Sequence, residues 1–115
     1  MLKVIFEEKD KTLTLKLDGH AGQANTGHDI VCSSCSILAY TVAQIVKTAA
    51  TEGDLKAVPV LKLESGDAVI SCEPTEEVYG TIKSLYMFAE VGYKLLAHNY
   101  PQYVDLTLFG EPKEA

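Results

Sequence analysis

Residues 29–51 read DIVCSSCSILAYTVAQIVKTAAT, and this stretch decides the fold because its apolar residues recur at every third or fourth position. That period places one stripe of side chains on a single face of an α-helix. Gly53 follows where such a helix would stop. The stretch therefore predicts one long helix, with an apolar face formed by Val31, Cys35, Leu38, Val42, Ile45, Val46 and Ala49.

The segments on both sides of this helix alternate apolar and polar side chains, which is the period of half-buried strands. Before the helix, residues 2–7 and 12–18 predict a hairpin. After it, residues 57–63 and 67–73 predict a second hairpin that turns at Glu64-Ser65-Gly66.

A second helix opens at Pro74-Thr75-Glu76-Glu77 and ends near Asn99, because Pro101 disfavours helix in the residue before it. Residues 104–108 form a last strand. The resulting order ββαββαβ predicts a single α/β domain over residues 1–115, with two helices on one or both faces of a mixed sheet.

The second helix has two candidate stripes. Its apolar residues predict a buried face formed by Val78, Ile82, Leu85, Ala89, Gly92 and Leu96. Tyr79, Tyr86 and Tyr93 are spaced by seven, two helical turns, and lie nearly in line. We interpret the tyrosines as the edge of the core, with a dimer face or one wall of a peptide groove as alternatives.

Composition limits the function classes. The chain has 115 residues, 47% of them apolar, and a net charge of −6, so it fits one packed core and would be repelled by phosphate backbones and anionic membranes. The N-terminus has no cleavage-type site, and no run of consecutive apolar residues approaches a membrane span. We expect a cytoplasmic protein without direct nucleic-acid or membrane partners. The odd number of cysteines, three, favours reduced thiols.

Reactive side chains concentrate at one junction, where His20, His28, Asp29, Cys32 and Cys35 lie within sixteen residues. Cys32 falls in the first or second turn of the long helix, where the helix dipole and a nearby imidazolium favour the thiolate. His20 follows the preceding strand and is placed to act as a base. In this interpretation, Cys32 is the nucleophile and His20 is the general base that accepts its proton.

Other interpretations of the same residues stay open on spacing alone. Cys32 and Cys35 form a Cys-x-x-Cys pair that suits disulfide exchange. His20, His28, Cys32 and Cys35 have the ligand types of a zinc site, although their spacing matches no common zinc finger. In the plainest interpretation, Cys35 faces the core and the histidines are ordinary loop residues. Cys72, in an alternating strand, is expected to be an inert buried thiol.

Two blocks of the sequence resemble the ribosomal-processing cysteine protease family called Prp. The first reads Asp18-Gly19-His20-Ala21, and the second reads Gly27-His28-Asp29-Ile30-Val31-Cys32-Ser33-Ser34-Cys35-Ser36. They are similar to the family's Gly-His-Ala and Gly-x-Asp-Ile-Val-Cys blocks at the right separation. The later helix and the Asn99-Tyr100-Pro101 turn extend the resemblance over nearly the whole chain.

The resemblance implies a cysteine endopeptidase without a cofactor or metal, in which His20 and Cys32 are the catalytic dyad. The family is described as homodimeric. It trims the N-terminal extension of a precursor of the twenty-seventh large-subunit ribosomal protein, cutting after Phe. Gly22 and Gly27 lie in the loop expected to settle around the substrate. The alternative is a non-enzymatic ribosome-associated or zinc-binding module that uses His20, His28, Cys32 and Cys35.

Two residues of the second block each suit two roles. Asp29 suits either a helix cap or a group that orients His20. Cys35 departs from the family, which usually has a small or apolar residue there. We interpret it as a core residue, with a reversible Cys32–Cys35 disulfide as a hypothesis.

Overall fold

The computed structural model describes residues 1–19 and 28–111, and at residues 28 and 29 it describes the main chain alone. The strands are β1 (Leu2–Lys9), β2 (Thr12–Asp18), β3 (Val60–Glu64), β4 (Asp67–Cys72) and β5 (Val104–Thr107), and the helices are α1 (His28–Thr51) and α2 (Glu76–Asn99). The predicted order ββαββαβ is confirmed.

The strands form one mixed sheet in the order β3-β4-β2-β1-β5. Strands β1 and β5 are parallel, and the other neighbouring pairs are antiparallel. The register aligns Phe6 with Leu15, and Leu15 with Ile70, so that apolar side chains share one face across three strands. Helix α1 contacts β4 and α2, while α2 contacts β2 and β5. Both helices therefore cover the same face of the sheet.

The first hairpin turn and the start of β3 follow from local backbone chemistry. Asp10 and Lys11 have φ values of 51° and 67°. Two consecutive positive φ values are those of a type I′ turn, whose twist matches the strands it joins. Strand β3 begins at Val60, later than predicted, because Pro59 has no N–H to donate to a strand ladder.

Helix α1 is the central helix of the core. Val31, Val42 and Val46 on its inner side are almost completely buried. Over residues Ile30–Thr51 its mean hydropathy of 1.5 and its length would also suit a membrane-crossing helix. A share of 33% of this segment is buried, where its inner side packs against β4 and α2, and further apolar side chains lie on its outer side.

Helix α2 is rotated relative to the predicted apolar face. Leu85 is 37% exposed, whereas Tyr86 and Tyr93 are 0% exposed. The tyrosines lie over the sheet, where the rings of Phe6 and Tyr93 meet edge to face with centroids 5.7 Å apart. Their hydroxyls have main-chain acceptors, so burial leaves no polar atom unpaired. Tyr86 and Tyr93 thus belong to the core, whereas Tyr79 is half-buried at its edge, and the prediction for Leu85 was wrong.

Candidate active site

Cys32 lies four residues after His28, at the start of the second turn of α1. Its side chain is half-buried and packs at the edge of the core. The apolar stripe of α1 fixes this position: Val31 and Cys35 point into the core, and Cys32 lies beside them at the margin. The core thus holds the proposed nucleophile at a defined place on the surface.

A cavity of about 300 Å³ opens beside Cys32, between the first turns of α1 and the β3–β4 hairpin. Helix α1 contributes Cys32, Ser36 and Tyr40 to its lining, and the hairpin contributes residues 63–68. The arrangement gives a peptide a recess next to the thiol.

Gly19, at the end of β2, lines the same cavity as Cys32. Its N–H donates a 2.9 Å hydrogen bond to the carbonyl oxygen of Gly66 in the hairpin turn. Gly19 has a φ of +99°, and a Cβ there would lie 2.8 Å from the carbonyl oxygen of Met1. Only glycine fits at this position. Here the chain leaves β2 beside the cavity, one residue before His20.

Several sequence-predicted site residues lie outside the described residues. His20, Gly22 and Gly27 belong to this group, as do the side chains of His28 and Asp29. The main chain of α1 starts at His28, so Asp29 falls in the first helical turn rather than before it. An acidic residue there complements the positive end of the helix dipole.

The other two cysteines are core residues. Cys35 and Cys72 are each 2% exposed. Burial, with a smaller contribution from the neighbouring Cys32, raises the pKa of the Cys35 thiol to about 12. Burial also raises the pKa of Cys72, whose sulfur lies 3.6 Å from the Tyr86 hydroxyl. Both thiols favour the protonated form, in keeping with their predicted packing roles.

The described residues include only part of the proposed zinc set, because His20 and the side chain of His28 lie outside them. Of the remaining two ligands, Cys35 is 2% exposed. Within residues 1–19 and 30–111, no group of three or more His, Cys, Asp and Glu side chains is arranged to hold a metal ion.

The contribution of the β3–β4 turn was missed at the sequence level. Glu64 and Asp67 line the cavity, and their carboxylates lie 3.4 Å and 2.6 Å from the ammonium group of Lys62. Asp67 and, to a lesser extent, Glu64 hold the pKa of Lys62 above its ordinary value. The turn itself was recognised, but no local signal tells which element it faces some thirty residues away in the chain.

Cys32 is half-buried, lies near the start of a core helix and lines a cavity. This arrangement is typical of enzymes that use a thiolate nucleophile. The class is that of the cysteine hydrolases. The family model described as "Cysteine protease Prp" matches residues 1–105, and the chain belongs to this family. The protein is a cysteine protease.

Solved structures agree with this fold. SMU.848 from Streptococcus mutans is 23% identical, with a TM-score of 0.67 over 95% of this chain and 94% of that one. The ribosomal processing protease Prp from S. aureus, in complex with a covalently linked product peptide, is 18% identical with a TM-score of 0.64 over 95% and 99%. The same protease with a substrate peptide is 17% identical, with a TM-score of 0.65 and the same coverage. No curated protein matches the chain.

Proposed function

We propose that this protease removes the N-terminal extension of a ribosomal protein precursor, the twenty-seventh protein of the large subunit, by cutting after a Phe. Cys32 is the nucleophile and His20 the base. One observation carries the proposal: Cys32 and Gly19, the residue that precedes His20, line a single cavity. Membership of the Prp family and the peptide complexes of the S. aureus protease support it.

In the proposed reaction, His20 accepts the proton of the Cys32 thiol, and the thiolate attacks the scissile carbonyl carbon. The imidazolium then protonates the departing amine, which leaves an acyl enzyme on Cys32. Water, deprotonated by His20, attacks the thioester and releases the acid product. Main-chain N–H groups at the start of α1 are suited to stabilise the oxyanion, and Asp29 complements the helix dipole from the first turn or orients His20.

The reaction needs no cofactor and takes place in the cytoplasm, where ribosomal proteins are made. The net charge of −6 favours a basic protein partner over nucleic acid. In the loop, Gly22 and Gly27 supply the freedom to close over the substrate.

We also propose that the protease is a homodimer and that the outer helical surface forms its interface. This surface consists of Ile30, Ile37 and Tyr40 of α1 with Leu85, Met87, Phe88, Val91 and Leu95 of α2. These eight are most of the eleven exposed large apolar side chains among the described residues. Between Ile30 and Thr51, the only charged residue of α1 is Lys47, so two acidic chains meet here with little repulsion.

The test is cleavage of a peptide that copies the precursor's extension, read by mass spectrometry. The native protein should cut one bond, and Cys32→Ala and His20→Ala should abolish the cut. Cys72→Ala is the matched control because it removes a buried thiol that does not line the cavity. Cys35→Ala removes the core thiol but keeps Cys32, so this variant should still cut the peptide if Cys32 is the nucleophile. Full activity in Cys32→Ala, or no cleavage by the native protein, would overturn the proposal.

A further inference from the structure

Cys32 and Cys35 are neighbours on α1 that differ in exposure. Cys32 is half-buried at the edge of the core, whereas Cys35 is 2% exposed. Both residues line the cavity beside the β3–β4 hairpin. Residues three positions apart on an α-helix lie on the same face, one turn apart. The fold therefore places a second, protected thiol beside the proposed nucleophile.

We infer that peroxide converts Cys32 and Cys35 into a reversible disulfide, which inactivates the protease and protects Cys32 from irreversible oxidation. Cys32 is the thiol that peroxide oxidises, and Cys35 is the thiol that resolves the oxidised product. This role of Cys35 rests on the proposed function of Cys32 as the nucleophile. It adds a redox-sensitive modification site to the active site.

The two thiols differ in their reactivity toward peroxide. Peroxide oxidises thiolates, and a position near the start of a helix favours the thiolate. Cys32 has this position, and a small oxidant reaches it through the cavity. Burial, with a smaller contribution from Cys32, raises the pKa of Cys35 to about 12, so Cys35 stays protonated and is not oxidised directly. The first product is therefore a sulfenic acid on Cys32.

The backbone of α1 permits a bond between the two sulfurs after a small adjustment. Cα atoms three residues apart on an α-helix are separated by about 5 Å, within the range of roughly 4.4–6.8 Å found in disulfides. The Cβ atoms must approach from about 5–6 Å to about 3.5–4.5 Å. Tyr93 anchors Cys35 by donating a 2.9 Å hydrogen bond to its carbonyl oxygen, so the adjustment falls on the turn that begins at His28. Strained disulfides are readily reduced, which makes this modification reversible.

Both steps balance in atoms and electrons. The Cys32 thiolate attacks one oxygen of hydrogen peroxide, the O–O bond breaks, and the other oxygen leaves as hydroxide, which takes up the thiol proton to form water. The Cys32 sulfur loses two electrons, and the peroxide gains them. The Cys35 sulfur then bonds to the Cys32 sulfur, the S–O bond breaks, and the hydroxyl leaves as water with the Cys35 proton. Dithiothreitol later supplies the two electrons that restore both thiols.

The third cysteine provides an internal control. Cys72 is 2% exposed on β4 and does not line the cavity. Its sulfur lies 3.6 Å from the Tyr86 hydroxyl, and burial raises its pKa. Cys72 is therefore as well protected as Cys35 but has no oxidised neighbour to resolve.

The experiment treats the full chain with hydrogen peroxide and then alkylates the remaining thiols with iodoacetamide under denaturing conditions. Trypsin, which cuts after lysine, releases Cys32 and Cys35 together in residues 17–47 and Cys72 separately in residues 63–83. Mass spectrometry of these two peptides shows the state of each thiol. Cleavage of the precursor peptide is measured before peroxide, after peroxide and after dithiothreitol.

Two variants remove the resolving thiol. Cys35→Ala leaves a smaller side chain, and Cys35→Val keeps an apolar side chain of similar volume, so one serves if the other fails to fold. Cys72→Ala is the matched control because it removes a thiol with the same exposure. Each recovered rate is expressed as a fraction of the same protein's untreated rate.

In the native protein, residues 17–47 should become lighter by two hydrogen atoms and resist alkylation, while Cys72 is still alkylated. Dithiothreitol should restore cleavage in the native protein and in Cys72→Ala. The Cys35 variants should gain two or three oxygen atoms on Cys32 and recover at least ~5-fold less of their rate, because sulfinic and sulfonic acids are not reduced by thiols. The absence of a disulfide in residues 17–47, or full recovery in a folded Cys35 variant, would overturn the inference.

The mass measurement is separable from the proposed ribosomal substrate. A Cys32–Cys35 disulfide in a protein that does not cleave the precursor peptide would remove the ribosomal assignment and leave the modification site standing. Cleavage that peroxide abolishes by adding oxygen to Cys32, without a disulfide, would do the reverse.

Discussion

The hydroxyl of Tyr93 donates a 2.9 Å hydrogen bond to the main-chain carbonyl oxygen of Cys35, three residues after Cys32. Both residues are buried, and the bond joins α2 to the turn of α1 that carries the nucleophile. Gly92, the neighbour of Tyr93, lies close to Leu38 on the next turn of α1. Helix α2 therefore determines where the start of α1 lies over the sheet.

Replacing Tyr93 with Phe keeps the ring against Phe6 and removes the bond to Cys35. The free energy of unfolding should fall by about 1 kcal/mol, the usual net value of such a bond. Alkylation of Cys32 should also slow, because its helical turn loses an anchor. Tyr86→Phe is the control, since Tyr86 is equally buried and donates to the Ile70 carbonyl. Urea unfolding and alkylation rates test this, and equal rates in both variants would contradict it.

Replacing Gly19 with Ala should destabilise the fold and reduce peptide cleavage. The substitution adds both backbone strain at φ +99° and a clash with the Met1 carbonyl oxygen. Gly53→Ala is the matched control, because Gly53 has a φ of +76° but open space around its Cα. We expect about 1 kcal/mol of destabilisation at Gly53 from strain alone and more at Gly19, measured by urea unfolding. Similar losses at both sites would show that the clash relaxes freely.

The two glycines inside α2 should respond differently to Ala. A Cβ at Gly80 would meet nothing within 4 Å, so Gly80→Ala should stabilise the protein by about 0.5–1 kcal/mol through helix propensity. A Cβ at Gly92 would lie 2.8 Å from both terminal methyl groups of Leu38, so Gly92→Ala should lose that gain. Thermal unfolding of the two variants gives the comparison. A stabilised Gly92→Ala protein would mean that Leu38 moves aside without cost.

Stability should fall at alkaline pH because of Cys35. Its pKa is raised from 9.0 to about 12 in the folded protein, so the unfolded chain loses this proton first. The stabilising effect is complete below pH 9.0 and is lost as the pH rises toward about 12. Each such group contributes a slope of ~1.4 kcal/mol per pH unit.

Urea unfolding at several alkaline pH values measures this slope. Burial also raises the pKa of Tyr86 and Tyr93, so the native protein should show the combined slope of several groups. Cys35→Ala should show a shallower slope than the native protein. Parallel slopes would exclude Cys35 as a contributor.

Replacing Phe88 with Glu should convert a dimer to a monomer. Phe88 is 80% exposed and belongs to the outer helical surface, and a carboxylate there would have to be buried in the interface. Light scattering after size exclusion gives the mass. Val58→Glu is the control, because Val58 is 92% exposed but lies outside both helices. A native monomer, or a Phe88→Glu dimer, would rule out this interface.

Much of the fold could be predicted from local pattern. The alternation in residues 2–7 and 12–18 predicted β1 and β2, and the recurrence of Val31, Val42 and Val46 predicted the buried side of α1. Side-chain direction repeats with the backbone period, so a few residues reveal an element and its inner face. The predictions for His20 and Cys32 came from reactive residue types and from the family resemblance.

The sequence by itself therefore determined the order of elements, the family and the candidate nucleophile, because each depends on residues close together in the chain. Only the tertiary structure decided that both helices cover one face, that Tyr86 and Tyr93 rather than Leu85 enter the core, and that the Glu64–Asp67 turn borders Cys32. These features depend on packing between segments far apart in sequence. The energy of such packing is shared by both partners, so neither segment's pattern reveals it alone.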